Sequence, residues 1–321
     1  MRLASSGLGR TLLVAAILCG FFSLATAGPL RERLKELKAE RQSAQADDPD
    51  ESDEGPAAVS VPAGVRVLRD VAYGSDAKQR FDVYLPPHAG NAPIIVMVHG
   101  GGWRRGDKRM SGVVQNKMQR WVGKGFIFVS VNYRLLPTDV LTQAQDVASA
   151  VAMVQQKAAS WGGDPDRLVL IGHSAGAHLS ALLAASPAIA AQGGARPWLG
   201  TVALDSAALD VASIMEKRHV PMYDAAFGSD PAYWKRASPF HVLSADARPM
   251  LMVCSTQRRA SCSQAQAFAD KAMSIGVSAQ VSGQDLTHGE INAKLGAPGA
   301  YTDAVESFLS SLDPSLGQLL R

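Results

Sequence analysis

Leu168-Val169-Leu170-Ile171-Gly172-His173-Ser174-Ala175-Gly176-Ala177-His178-Leu179 is the stretch that decides the reading of this chain. A short apolar run breaks at Gly-His-Ser-Ala-Gly, and a helical pattern opens directly after it. That is the strand–turn–helix context in which G-x-S-x-G acts as a nucleophile elbow. Glycines at 172 and 176 suit a strained turn whose backbones pack too closely for a Cβ. Held on such a turn, the Ser174 hydroxyl projects above the carboxyl edge of a sheet, where a carbonyl can reach it. The same letters also occur in ordinary strand–helix loops, so the surrounding sequence has to separate the two.

Strand-like segments recur at Arg80–Leu85, Ile94–Val98, Phe126–Asn132, Leu168–Ile171, Thr201–Asp205, Met250–Cys254 and Ser278–Val281. They are short, rich in Val and Ile, and bounded by Gly, Pro, Asn or Asp. The central ones are apolar throughout, as expected for parallel strands covered on both faces. Between them lie helical patterns. Val140, Ala144, Val147, Val151 and Val154 share one face, with Gln143, Asp146, Gln155 and Lys157 expected on the other. Leu179, Leu182 and Leu183 repeat the pattern behind the elbow, and Ser263–Ile275 forms another such segment. This alternation predicts an α/β domain with a mostly parallel, doubly wound sheet. A longer connection, 209–248, carries Met215, Met222, Tyr223, Phe227, Tyr233, Trp234 and Phe240 and reads as a small lid or pocket wall, or as helices packed on the core.

His99-Gly100-Gly101-Gly102-Trp103 follows the strand at 94–98. Three glycines there leave backbone N–H groups unobstructed, able to donate to an oxygen that gains charge when a carbonyl is attacked. This HGGG-type loop reads as an oxyanion hole, with Gly101 and Gly102 as donors together with Ala175. A phosphate-cradling loop would need a following Gly-Lys-Ser/Thr, which is missing. Of the seven histidines, His288 alone follows the last strand segment, in the chain order Ser, acid, His that such an architecture uses. His99 reads as a brace of its turn, and His173 and His178 as packing residues beside the elbow. With an unperturbed imidazole of about 6.5, the acidic limb of the rate is expected near that value.

Residues 80–312 resemble the α/β-hydrolase superfamily, in its carboxylesterase branch, which includes the hormone-sensitive-lipase group and bacterial feruloyl and acetyl-xylan esterase-like proteins. Further residues carrying the resemblance are Trp-Arg-Arg-Gly-Asp-Lys at 103–108, Asn132-Tyr133-Arg134-Leu135, Trp161-Gly162-Gly163-Asp164-Pro165 and Ala237-Ser238-Pro239. The elbow also resembles that of kynurenine formamidases. The resemblance implies a Ser–acid–His hydrolase that needs no cofactor and no metal. In that family the acid follows the strand at Met250–Cys254, but here the loop reads Ser-Thr-Gln-Arg-Arg-Ala-Ser, without Asp or Glu. Asp205, at a strand end resembling the acid position of pancreatic-type lipases, is the candidate. Asp210 stands second, and Asp285 is too near His288 in sequence to be favoured.

The expected reaction is cleavage of a carboxylic ester, on a small molecule or linked to a polysaccharide. An amide hydrolase of formamidase type and a catalytically silent binding protein are the rivals, the latter motivated by the empty acid loop. Residues 1–27 read as a secretory signal peptide: Arg2 and Arg10, an apolar run Leu12 to Leu24, then Ala25-Thr26-Ala27. That run is too short for a stable membrane span, so a periplasmic or extracellular protein is expected. Residues 28–58, strongly charged, read as a flexible linker, 59–313 as the catalytic domain and 314–321 as a tail. Removing Arg2 and Arg10 takes two from the net charge of +3 and leaves +1, which offers no nucleic-acid surface. In an oxidising compartment Cys254 and Cys262 suggest a disulfide closing a short loop, two buried free thiols being the alternative. Nothing in the sequence sets an oligomeric state.

Overall fold

Eight strands form one sheet in the order β1-β2-β4-β3-β5-β6-β7-β8: β1 (Arg66–Ala72), β2 (Arg80–Leu85), β3 (Ala92–Val98), β4 (Ile127–Val131), β5 (Gly163–His173), β6 (Gly200–Leu204), β7 (Met250–Ser255) and β8 (Ala279–Gln284). β1 pairs with β2 and β2 with β4 in antiparallel fashion, and the other neighbours are parallel. The computed structural model describes residues 59–321, which belong to one compact unit. The expected signal peptide (1–27) and linker (28–58) lie outside the described residues. No helix among the described residues is long and apolar enough to cross a membrane.

Central strands are mostly apolar because each of their two faces meets its own core. In β3, Ile94, Val96 and Val98 join one cluster while Ile95 and Met97 join the other. Leu168 and Leu170 of β5 likewise part from Val169 and Ile171, which is the two-residue alternation of a strand buried on both sides. Helices cover the faces: α1 (Ser111–Gly123), α2 (Val140–Lys157), α3 (Ala175–Ala185) and α4 (Pro187–Gln192) come before β6. A short 3₁₀ turn, Ala158–Trp161, links α2 to β5. Asp139 caps α2 by accepting from the Thr142 amide at 3.0 Å.

The polar residues expected on the outer face of α2 are only partly there. Lys157 is exposed, but Gln143, Asp146 and Gln155 are buried. Their reason is loop anchoring. Gln143 Nε2 donates to the Trp103 and Thr138 carbonyls, Asp146 binds the Arg134 guanidinium, and Gln155 ties down Arg196.

The connection 209–248 folds as four short helices, α5 (Val211–Met215), α6 (Pro221–Phe227), α7 (Pro231–Arg236) and α8 (Pro239–Val242). Beyond β7 come α9 (Arg259–Ser274), α10 (His288–Lys294), α11 (Ala300–Leu312) and α12 (Pro314–Leu320). Residues 314–321, expected as a tail, are a packed part of the domain. Leu316 and Leu320 of α12 enter the second core, and Lys124 Nζ donates to the Leu320 carbonyl at 2.7 Å. Cys254 and Cys262 form a disulfide that joins the end of β7 to α9.

Candidate active site

The turn between β5 and α3 is the elbow the sequence predicts. Ser174 has φ 55° and ψ −119°, outside the ordinary regions for an L residue. Such a conformation costs roughly 1–3 kcal/mol and persists only where neighbours enforce it. Here the Ser174 amide donates to the Leu204 carbonyl at 2.9 Å. A Cβ on Gly172 would overlap the Gly176 carbonyl, and one on Gly176 the carbonyls of Val98 and His99. Every residue of α3 is buried, so the turn sits on a fixed base.

The glycine loop after β3 is braced from several sides. His99 Nδ1 donates to the Gly100 carbonyl at 2.7 Å, and its ring stacks on Tyr133 at 4.6 Å. Tyr133 in turn donates from its hydroxyl to the His99 carbonyl. Lys108, buried, pairs with Asp82 of β2 at 2.7 Å, and Asn132 binds both the Lys108 amide and Asp107. The 103–108 and 132–135 segments therefore act as struts of the loop. Gly101 takes φ 112°, where a side chain would also overlap the Arg105 carbonyl. Trp103 Nε1 donates to His178 Nδ1 at 3.3 Å, and His178 Nε2 donates to the Ala237 carbonyl at 2.7 Å. Burial pushes this imidazole down to about 4, so His178 is a neutral bolt between loop, elbow helix and insertion.

Asp205 follows β6 directly, fully buried and at φ 54°. Its Oδ2 lies 2.6 Å from His288 Nδ1. Its Oδ1 accepts from the Ser255 amide at 2.7 Å and the Ser261 hydroxyl at 2.5 Å, while Arg258 Nη1 meets Oδ2 at 2.6 Å. Burial alone would raise this carboxyl. The bond to His288, the charge of Arg258 and the Ser261 hydroxyl together hold it far below the usual carboxylate range. His288 opens α10, whose start is fixed by a capping box between Thr287 and Glu290. Its ring lies against His173, centroids 4.5 Å apart, and His173 Nε2 donates to the His288 carbonyl at 3.0 Å. Burial, then the charges of His173 and Arg258, push the His288 imidazole down to about 4 against the opposing pull of Asp205.

Ser174, Ala175, Gly102, Trp103, Asp205 and Arg258 share one cleft, which Met222 and Tyr223 of α6 wall off. Its free volume of about 20 Å³ is room for roughly one water molecule. Gly101 does not line it. His288 Nε2 is buried without a hydrogen-bond partner, so no hydrogen bond joins it to Ser174. Among the described residues, no group of three or more His, Cys, Asp or Glu side chains could hold a metal ion.

A family model described as BD-FAE matches residues 81–196, a stretch containing the glycine loop and the elbow but neither Asp205 nor His288. A probable isoprenylcysteine alpha-carbonyl methylesterase of Oryza sativa subsp. japonica is 32% identical over 137 residues, covering 41% of this chain and 32% of that protein. The esterase LipQ of Mycobacterium tuberculosis is 31% identical over 205 residues, 57% of this chain and 47% of its own length. The chain thus spans about a third to a half of the curated relatives it matches. A truncated form of a carbohydrate esterase from gut microbiota superposes with a TM-score of 0.67 at 17% identity, over 80% of this chain and 99% of that one. This chain has the α/β-hydrolase fold.

Within this fold the site residues expected from sequence separate into those brought together and those not. Ser174, Ala175, Gly102 and Asp205 line one cleft, and His288 reaches Asp205. Asp210, the second candidate acid, instead caps α5 through the Ser213 amide and pairs with His241 at 3.2 Å. Asp285 accepts from Gln257. Arg258 and Ser261 were not singled out as site residues. Their signal is the acid-free loop itself: where the family it resembles keeps a carboxylate, this chain keeps donors that grip a carboxylate from the neighbouring strand.

Proposed function

We propose that the chain is a serine hydrolase of carboxylic esters, acting through an acyl-enzyme. Ser174 Oγ attacks the ester carbonyl while His288 Nε2 takes its proton, and Asp205 holds Nδ1–H and stabilises the imidazolium. Amides of Ala175 and Gly102, with Gly101 as the third donor expected from sequence, receive the developing oxyanion. The imidazolium returns its proton to the departing alcohol. Water then attacks the acyl-enzyme, giving its proton to the same nitrogen, and the imidazolium passes that proton to Ser174 Oγ as the acyl–oxygen bond breaks and the acid product leaves.

One observation carries this reading: a 2.6 Å contact between Asp205 and His288, beside a serine held at positive φ on a strand–helix turn. The bare His288 Nε2 is compatible with it, because catalytic hydrogen bonds often tighten only with substrate in place. The same bare nitrogen favours the second reading, a silent protein that binds a ligand without turnover. The narrow cleft supports a short acyl group, with the alcohol portion outside it. Turnover of p-nitrophenyl acetate and butyrate decides between the readings. Ser174→Ala should lower kcat by up to about 10⁶, and equal rates with and without Ser174 would reject the hydrolase. Activity confined to formyl amides would point to the amide-cleaving variant of the same chemistry.

The signal-like first 27 residues and the Cys254–Cys262 disulfide support work in the periplasm or outside the cell. Recovery of the full chain only from the cytoplasmic fraction of expressing cells would overturn that location.

A further inference from the structure

The loop after β7 holds no carboxylate, yet three of the four side-chain and backbone donors around Asp205 come from it. Ser255, Arg258 and Ser261 all lie between Cys254 and Cys262, the two halves of the disulfide. Arg258 is nearly buried, and its Nη1 lies 2.6 Å from Asp205 Oδ2, 3.2 Å from the Asp205 carbonyl and 2.7 Å from His288 Nδ1. Three atoms, Nδ1, Oδ2 and Nη1, thus stand in mutual contact. A guanidinium nitrogen can only donate. With the proton on His288 Nδ1, the imidazole and Arg258 both donate to Oδ2, which has lone pairs for two, and Nε2 keeps its own pair for Ser174. With Nδ1 bare, Arg258 donates to it instead, the proton sits on Nε2, and the base is lost. A fully charged Asp205 selects the first arrangement.

We propose that Arg258 is a positioning residue of this site, one that keeps Asp205 ionised and His288 neutral with its proton on Nδ1, so that the base stays usable in acidic surroundings. The proposal rests on the ester-hydrolase reading. A permanent cation touching Nδ1 opposes a second proton on the ring, as a like charge does at this range. The other ionisable groups around His288 have been assigned their own partners. His173 of β5 donates to the His288 carbonyl, Tyr301 of α11 donates to the Ile291 carbonyl, Asp285 accepts from Gln257, and Glu290 closes the helix cap. Arg258 is the cation that contacts both members of the acid–base pair, and the cross-linked loop fixes where it stands.

The test is the pH profile of kcat/KM for p-nitrophenyl acetate in the full chain with the disulfide intact. Arg258→Met keeps the bulk and removes the charge, and the acidic limb should move up by about one pH unit or more. Rates below the shifted limb then fall about tenfold relative to the native chain. Arg258→Lys restores a cation, and its limb should lie nearer the native one. A folded Arg258→Met protein whose plateau drops while the limb stays in place overturns the proposal, because packing alone would do that. Should Arg258→Met not fold, ¹⁵N-histidine NMR of Ser174→Ala, with Arg258 present, reads the same property directly. His288 should remain neutral with its proton on Nδ1 well below pH 6.5, whereas titration at the ordinary imidazole value, or a proton on Nε2, refutes the role of Arg258. The NMR readout needs no turnover, so it stands apart from any failure of the esterase reading.

Discussion

Replacing Asp205 by Asn changes one oxygen to NH₂ in a site where every contact is a donor. If the amide keeps its oxygen toward Ser255 and Ser261, the NH₂ faces Arg258 Nη1 and His288 Nδ1. Arg258 then meets a donor, and His288 must accept at Nδ1, which moves its proton to Nε2 and away from its task. If the amide turns over, the NH₂ confronts the Ser255 amide, which cannot reverse. Neither orientation restores the native set. A wrong tautomer of the catalytic base costs about 10⁴ in kcat, or about 5 kcal/mol of barrier. The same substitution leaves the buried Arg258 without its counter-charge, a loss of about 3–5 kcal/mol in stability for broken buried pairs. Steady-state turnover of p-nitrophenyl butyrate on the pH plateau, measured beside thermal unfolding at a temperature where both proteins are folded, separates the two losses. A folded Asp205→Asn enzyme retaining more than about a tenth of native kcat, set against the 10⁴ expected, refutes the acid assignment, and so does an equal collapse in Asp210→Asn.

With His288 pushed down to about 4, chiefly by burial and with the Arg258 charge adding to it, the acidic limb of kcat/KM should lie well below the ordinary imidazole range, not near 6.5 as the sequence alone suggests. A limb at or above 6.5 in the native enzyme contradicts that environment. Folded-state values of about 4 for both His178 and His288 mean that the unfolded chain binds more protons between about pH 6.5 and 4. Stability is therefore full above 6.5 and declines as pH falls through that window, which denaturant midpoints at several pH values will show. Met222 Sδ lies where a Cβ on Gly102 would come within 2.7 Å, so it closes the cleft beside Gly102. Met222→Ala should raise the ratio of butyrate to acetate kcat/KM by about tenfold, and an unchanged ratio would place the acyl group elsewhere.

Much of this architecture is legible in the chain because central parallel strands leave an unmistakable apolar mark. β1 went unseen since Arg-Val-Leu-Arg-Asp-Val-Ala sits at the sheet edge, half exposed, with charges where a buried strand would carry Val or Ile. The first five residues of β5, Gly-Asp-Pro-Asp-Arg, fall outside the strand expected at Leu168–Ile171 because glycine, proline and charges interrupt the apolar run. α12 reads as a tail because only Leu316 and Leu320 are buried in it. Ser174 and His288 stand out by motif and chain order, and Asp205 by a strand-end position that resembles the acid site of pancreatic-type lipases. Arg258 stayed hidden because an arginine in a polar loop has no periodicity; its meaning depends on which carboxylate the neighbouring strand end presents.

Fastening an essential carboxylate through a covalent ring has a consequence for where active protein can be made. Both hydrophobic cores are built from the sheet and its flanking helices, so thiol reduction need not dismantle them, whereas the grip of residues 255–261 on Asp205 depends on the closed ring. Overproduction in a reducing cytosol should give soluble, folded material of low specific activity. Exposure to a glutathione redox couple after purification should then raise that activity with no change in secondary structure.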